Sequence, residues 1–292
     1  DALPMSEKTG LPYASTKTYT TNGTTSGVMH SCGHDMHMTT WLGTARALIK
    51  MKDQWKGTLM LIGQPAEEIG AGAKALLEGG IYETFGVPNY AVGLHCSPTI
   101  PAGKVGYGKG YTMAASESVT ITVYGIGAHG ASPHMSIDPI VLSSMLIMEL
   151  QTITSRSLKP IESAVVTVGS IHAGTASNII PDEVKLGLTL RTFKEEVRTM
   201  IHKRITEICH GTAMAAGLPP EKYPKIAFSP VYIAANYNNE SLVDKLSGSA
   251  KKSIGENMVV NSEVQMVAED FSAYGRTSHK VPSVLFWLGT AP

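Results

Sequence analysis

Five polar side chains of this 292-residue chain are of types that bind ions and move protons. They are Cys32 and His34 in "HSCGHDMH", Glu67 and Glu68 in "GQPAEE", and His95 in "GLHC". A thiol, two imidazoles and two carboxylates mix soft, borderline and hard donors, a set suited to a transition metal such as zinc or manganese. A structural zinc site would rather show paired C-x2-C spacing, whereas here acids outnumber thiols. On a turn, adjacent glutamates diverge, so one can hold an ion while the other faces the water it activates. Lewis acid, bound water and general base are together the equipment of a hydrolase. Singly, each feature is ordinary: the Cys/His cluster a solvated turn, the Glu pair a piece of surface, His95 a satisfied histidine at a core edge. Their combination carries the reading. His30, His37 and Cys96 read as ordinary neighbours of the site.

Elements must bring these residues together. "GTLMLIG" (57–63) and "YAVGLH" (90–95) are short apolar runs that read as buried strands. "MTTWLGTARALIKMKDQW" (38–55) carries Trp41, Leu42, Ala45, Leu48 and Ile49 at helical spacing, and "AGAKALLEGG" has helical composition with a Gly pair as its stop. Helix, strand, helix, strand implies a layered α/β domain. In such a sheet ligands collect beyond the carboxyl ends of the strands. Cys32 and His34 precede a helix, the Glu pair follows the first strand and His95 closes the second.

From about Ser116 the rhythm changes. "SVTITVYG", "SAVVTVGSI" (163–171), "VKLGLTLRTF" (184–193) and "KIAFSPVYI" (225–233) read as strands. Residues 138–156, with Asp138 as N-cap, and 195–217 read as long helices. The order β-α-β-β-α-β is the ferredoxin-like pattern, a unit that closes on itself and can be inserted in another domain. Afterwards "SLVDKLSGSAKKSIG" and "EDFSAYG" read as helices and "PSVLFWLG" (282–289) as a strand, returning the chain to the first domain. The expected division is 1–114 and 234–292 for the catalytic part and 115–233 for the insert.

Composition narrows the class. Hydrophobic content of 43% and charged content of 16% fit a globular protein with a substantial core. Lys plus Arg equals Asp plus Glu at 24 each, so no charge excess points to nucleic acid or an anionic membrane. Three scattered cysteines make no disulfide framework, and no apolar run reaches the roughly 18 residues of a membrane span. The cellular compartment stays open.

In order along the chain, "DALP", "MHSCGHDMHMTTWLG", "GQPAEEIGAGAKALLEGG", "GLH", "GAHGASPH", "SNIIPDEV", "LRTF" and "EDFSAY" resemble the amidohydrolase branch of the metal-dependent aminoacylase and carboxypeptidase superfamily. Its members include hippurate hydrolase, bacterial aminoacylases and plant indole-acetyl-amino-acid hydrolases. The resemblance implies a three-layer αβα zinc-peptidase-like catalytic domain with an inserted ferredoxin-like lid and dimerisation domain, and a homodimer formed through that lid. It implies one or two divalent ions, zinc or manganese, held by Cys32, His34, Glu68 and His95. Glu67 matches the general base and Asp1 an acid that supports the site from behind the ligands. His129 matches a lid histidine that polarises the scissile carbonyl, while Asn178 and Arg191 match residues near the tetrahedral intermediate and the substrate carboxylate.

Relative to the family, a segment before "DALP" and a stretch after "WLGTAP" with a fifth ligand histidine are expected to be missing, His279 not matching it. One tightly held ion is then expected. The implied activity is hydrolysis of the amide bond of small N-acyl amino acids. Two other classes remain: an amidase with Cys32 as nucleophile, which the adjacent acids disfavour, and a non-catalytic binding protein using the same pocket.

Overall fold

The computed structural model describes residues 1–292, which divide into two compact units. Residues 1–112, 236–264 and 269–292 form the first, residues 113–235 and 265–268 the second. The first opens with strands β1 (Thr18–Thr21) and β2 (Thr24–Gly27), then helices α1 (His34–Lys50), α2 (Gly72–Glu78) and α3 (Ile81–Phe85), then β3 (Ala91–Pro101), β4 (Val105–Tyr107) and β5 (Gly110–Met113). The second holds β6 (Ala115–Tyr124), β7 (Ala128–His129), α4 (Pro139–Leu150), β8 (Ala164–Ala173), β9 (Ile179–Ile180), β10 (Glu183–Thr192), α5 (Glu195–Ala215) and β11 (Lys225–Ile233). The chain then returns with β12 (Asn236–Asn238), α6 (Glu240–Ile254), β13 (Val259–Asn261), α7 (Ser272–Gly275) and β14 (Ser283–Ala291).

In the second unit the period-2 pattern does what it predicts. Val119, Ile121 and Val123 of β6 and Val184, Leu186, Leu188 and Leu190 of β10 turn to one buried face of an antiparallel sheet ordered β11-β6-β10-β8. Leu142, Leu146 and Leu150 of α4 and Ile201 and Ile205 of α5 recur every fourth residue and share the same core. Each such side chain contributes about 1.5–3 kcal/mol by leaving water. Asp138 Oδ1 accepts the Ile140 N–H at 2.8 Å, and Pro139 follows it at the first helical position, so α4 starts where the sequence indicates.

In the first unit the sheet order is β13-β4-β14-β3. β14 runs parallel to β3, with Trp287 opposite His95. Two small cores flank this sheet, one around Tyr107, Leu242, Val243 and Val284, the other around Ala73, Tyr82, Tyr274 and Val281.

Three expectations fail here. Residues 57–63 form no strand: a strand needs a neighbour for its backbone N–H and C=O groups, and this apolar run has no ladder partner in the chain. β3 continues to Pro101, because β14 keeps pairing past His95 as far as Ala291 opposite Pro101, so His95 sits inside the strand rather than at its end. Helix α1 forms, but over His34–Lys50 rather than 38–55, so His34 is its first residue instead of preceding it, and Trp41, Leu42 and Ile49 stay 41%, 44% and 68% exposed. Helical spacing defines a stripe, but no part of this chain covers it. No helix is long and apolar enough to cross a membrane.

Candidate metal centre

Helix α1 begins at His34 because Gly33, in the left-handed region at φ 75°, turns the chain into it. A Cβ on Gly33 would lie 3.0 Å from the Cys96 Cβ, so this glycine also lets the helix start close against β3. That close approach brings Cys32 Sγ to 3.5 Å from His95 Nε2. His95 Nδ1 lies 2.8 Å from the Cys96 carbonyl oxygen, which can only accept. The ring proton is therefore on Nδ1, and Nε2 presents its lone pair toward Cys32.

The acid pair sits on a turn clamped at both ends. Ala66 takes a left-handed φ of 60°, and its carbonyl accepts the Ala71 and Gly72 N–H groups at 3.1 and 3.2 Å. At Gly72 any Cβ would run into the Pro65 carbonyl. The Asp1 carboxylate accepts the N–H of Ala66 at 3.0 Å and of Glu68 at 3.2 Å. Asp270 accepts Gln64 Nε2 at 2.7 Å and the Ala73 N–H, at the start of α2, at 3.0 Å. Held this way, a carboxylate oxygen of Glu67 and one of Glu68 each lie 3.7 Å from Nε2 of the buried His34.

Potential ligand atoms within 4.8 Å of one another form three overlapping groups: Cys32, His34 and His95; His34, Glu67 and Glu68; Glu67, Glu269 and Asp270. The structure thus brings Cys32, His34, Glu67, Glu68, His95 and Asp1 to one place. His129, Asn178 and Arg191 belong to the second unit. There His129 on β7 and Asn178 beside β9 are neighbours, the Gly130 N–H donating to the Asn178 carbonyl at 2.8 Å. Arg191 Nη1 donates to Thr189 Oγ1 at 2.6 Å.

Glu269 and Asp270, both buried, join the cluster without any local signal that singles them out. They stand in the quoted "EDFSAY", but they meet Glu67 and Gln64 across some two hundred residues of chain, which no local pattern encodes. His37 is more than an ordinary neighbour of the site: its place three residues after His34 on a helix puts both rings on one face. The rings stack with centroids 4.9 Å apart, and His37 lies edge-on to His95 at 4.6 Å.

The Cys32 thiol, the Glu67 and Glu269 carboxyls and three imidazoles are pushed toward their neutral forms. Burial first, then the charges of Glu68 and Glu67, push the Cys32 thiol up to about 11. Burial, Glu68 and Asp270 push Glu67 up to about 7, and burial with Glu67 pushes Glu269 up to about 8. Burial, followed by neighbouring imidazoles, pushes His37 down to about 3; burial also lowers His34 and His95. A dication would reverse the penalty on the thiolate and carboxylates, and neutral imidazoles are the form that ligates. The donor set fits a divalent metal.

These shifts set the pH dependence of the metal-free protein. Between 4.5 and about 7 to 8 the folded state holds protons on Glu67 and Glu269 that the unfolded chain has lost, so stability falls as pH rises. The three histidines hold fewer protons folded than unfolded below about 6.5, so their contribution falls as pH falls. The two effects oppose one another below 6.5, and above it only the acids remain. Metal-free protein is expected to melt at progressively lower temperature from about pH 6.5 to 8, and a bound divalent ion to flatten that slope. Thermal melts with and without chelator check this; a rising profile in the chelated sample contradicts it.

Residues 1–292 match the family described as peptidase family M20/M25/M40. N-acetyl-L-cysteine deacetylase of Bacillus subtilis (strain 168) is 37% identical over 290 residues, which are 99% of this chain and 65% of that relative. N-acetyldiaminopimelate deacetylase of Streptococcus uberis is 37% identical over 290 residues, 99% of this chain and 72% of that relative. Hippurate hydrolase of Campylobacter jejuni is 40% identical over 275 residues, 94% of this chain and 68% of that relative. The chain spans about two thirds of the length of these curated relatives. A solved Bacillus subtilis structure described as a dinuclear metal binding peptidase of the M20 family superposes with a TM-score of 0.79 at 32% identity, covering 99% of this chain and 70% of that one.

Proposed function

The chain belongs to peptidase family M20/M25/M40, and from that premise we propose that it is a metal-dependent amidohydrolase cleaving the amide bond of small N-acyl amino acids. The single observation that carries the reading is the convergence of Cys32, His34, Glu67, Glu68 and His95 around the buried His34 in overlapping groups of potential ligand atoms, where a cation would favour the charged forms of Cys32 and Glu67 that burial disfavours. Cys32 Sγ, His34, His95 Nε2 and the Glu68 carboxylate would hold one or two zinc or manganese ions. When bound, the ion supplies Lewis acidity toward the scissile carbonyl. Glu67 takes the proton from the attacking water and returns it to the leaving amine nitrogen, a task suited to a carboxyl group raised toward neutrality. Asp1, through the Ala66 and Glu68 N–H groups, keeps the acid pair in place.

For the second unit the roles follow from side-chain chemistry. His129 and Asn178, adjacent across β7 and β9, are donors suited to a developing oxyanion, worth about 3–4 kcal/mol when well aimed. Arg191 is a guanidinium suited to a substrate carboxylate. The ferredoxin-like insert would serve as a lid and a dimerisation domain. Its helix α4 supports a dimer: while Leu142, Leu146 and Leu150 are buried, Val141, Met145 and Met148 stay 57%, 50% and 71% exposed on other positions of the same helix. A helix apolar on more than one face is expected to be covered. The sheet edge β8 presents unpaired backbone groups to a second copy.

A thiol near 11 disfavours the alternative in which Cys32 is the nucleophile. The test is turnover of a panel of N-acetyl, N-benzoyl and longer N-acyl amino acids before and after chelation, beside thiol alkylation and metal analysis of the pure protein. Activity lost on chelation and regained with zinc or manganese is expected. Activity insensitive to chelation but lost on alkylation would select the cysteine mechanism, and bound ion without turnover would leave a binding protein. Sedimentation of the same preparation is expected to show a dimer, and Met148→Glu to weaken it.

A further inference from the structure

We propose that His37 is a positioning residue of the metal centre, holding the backbone of Cys96 and, through it, the His95 imidazole in the orientation that points Nε2 at Cys32. The inference rests on the metal-dependent reading above and extends it to a residue outside the ligand set.

The geometry is a relay of two hydrogen bonds through one residue of β3. The Cys96 N–H donates to His37 Nε2 at 3.0 Å. An amide N–H can only donate, so His37 Nε2 carries the lone pair and its proton sits on Nδ1. The carbonyl of the same Cys96 receives the His95 Nδ1 proton at 2.8 Å, leaving His95 Nε2 as a donor atom 3.5 Å from Cys32 Sγ. β3 is the edge strand of its sheet, so at Cys96 it lacks the second neighbouring strand that would fix its backbone. His37 stands in for one. Gly33 allows the arrangement, since the helix that carries His37 approaches Cys96 too closely for any Cβ at that position to be relaxed.

Removing the His37 acceptor strands a partly buried amide donor, and the Cys96 backbone is then free to rotate toward water. Because its carbonyl sets the His95 ring, that rotation moves a ligand atom, and metal sites tolerate little displacement of their ligands. His37 also backs the His34 ring, so both imidazole ligands lean on it.

The test uses the full chain, stripped of metal and titrated with Co2+, read from its visible d–d absorption, with thermal melts of the metal-free forms as the folding control. His37→Ala is expected to weaken Co2+ binding about 10–100-fold, the usual effect of losing a partner behind a ligand, and to shift the absorption bands. His37→Gln, whose amide oxygen can accept the Cys96 N–H, is expected to recover most of the affinity. If His37→Ala does not fold, His37→Met, which fills the space without a comparable acceptor, takes its place beside His37→Gln. Co2+ affinity unchanged in the variant without an acceptor overturns the proposal. An equal loss in His37→Gln also overturns it, since the imidazole would then be a ligand itself. Failure of the wild-type protein to bind Co2+ is a separate result, seen before any variant is made, and would remove the metal-dependent reading together with this extension.

Discussion

Replacing Glu67 by Gln is expected to lower turnover of an N-acyl amino acid by about 10²–10⁴-fold, the usual worth of a positioned acid–base group, while the protein keeps its metal. Distance alone does not separate the two glutamates, since each lies 3.7 Å from His34 Nε2. Their surroundings do. The charge of Glu68 acts more strongly than that of Glu67 on Cys32, and it also acts on His95, which sets Glu68 beside the thiol and imidazole proposed as ligands. Glu67 instead faces Glu269 and Asp270 and is raised to about 7, where a carboxylate can both take and return a proton near neutral pH. Glu68→Gln is therefore expected to lower metal occupancy. Metal analysis and steady-state kinetics on the two variants decide the matter: equal metal loss in both would show that the roles within the pair are assigned wrongly.

The second large effect is on stability and belongs to the second unit. Glu117 on β6, only 3% exposed, accepts Arg198 Nε and Nη2, both at 2.9 Å, and lies 2.6 Å from His202 Nε2. Arg198 also bonds Glu195 at 2.7 Å and lies over the Tyr232 ring at 4.1 Å, and His202 stacks on Phe228. Removing one partner of a buried pair costs about 3–5 kcal/mol, because the group left behind keeps its desolvation without its counter-charge. Arg198 and His202 side chains are each 23% exposed, so water compensates in part and Glu117→Ala is expected near the lower end, about 3 kcal/mol. Burial pushes the Glu117 carboxyl upward, but the hydrogen bonds from Arg198 and His202 outweigh it and the net shift is downward from 4.5. Its contribution is thus fully present above about pH 4.5 and is lost as pH falls toward the folded value. Urea unfolding of wild type and Glu117→Ala at pH 7 and near pH 3.5 should show the difference shrinking in acid. A difference under about 1 kcal/mol at pH 7 would mean that the network is no more than a surface ion pair.

What the sequence determined by itself was the identity of most elements and the class of the chemistry. Alternation in "SVTITVYG" and "VKLGLTLRTF" and fourfold spacing in α4 and α5 are local properties, because a side chain's face follows from its own backbone period. The Asp138 cap and the glycines at element ends are local for the same reason. The ordered motifs from "DALP" to "EDFSAY" likewise carried the family, which the match over residues 1–292 shows. The pairing of segments was decided only in three dimensions. Residues 57–63 are as apolar as any strand here, but strand formation depends on a partner's backbone, which composition does not reveal. His95 reads as a strand end until the β14 register carries β3 on to Pro101. Glu269 and Asp270 reach Glu67 and Gln64, and His37 reaches the Cys96 N–H, across separations at which only the packed fold determines distance. The types of the acids, thiol and imidazoles named the chemistry, whereas which of them press on one another, and so which are driven toward their neutral forms, follows from tertiary burial.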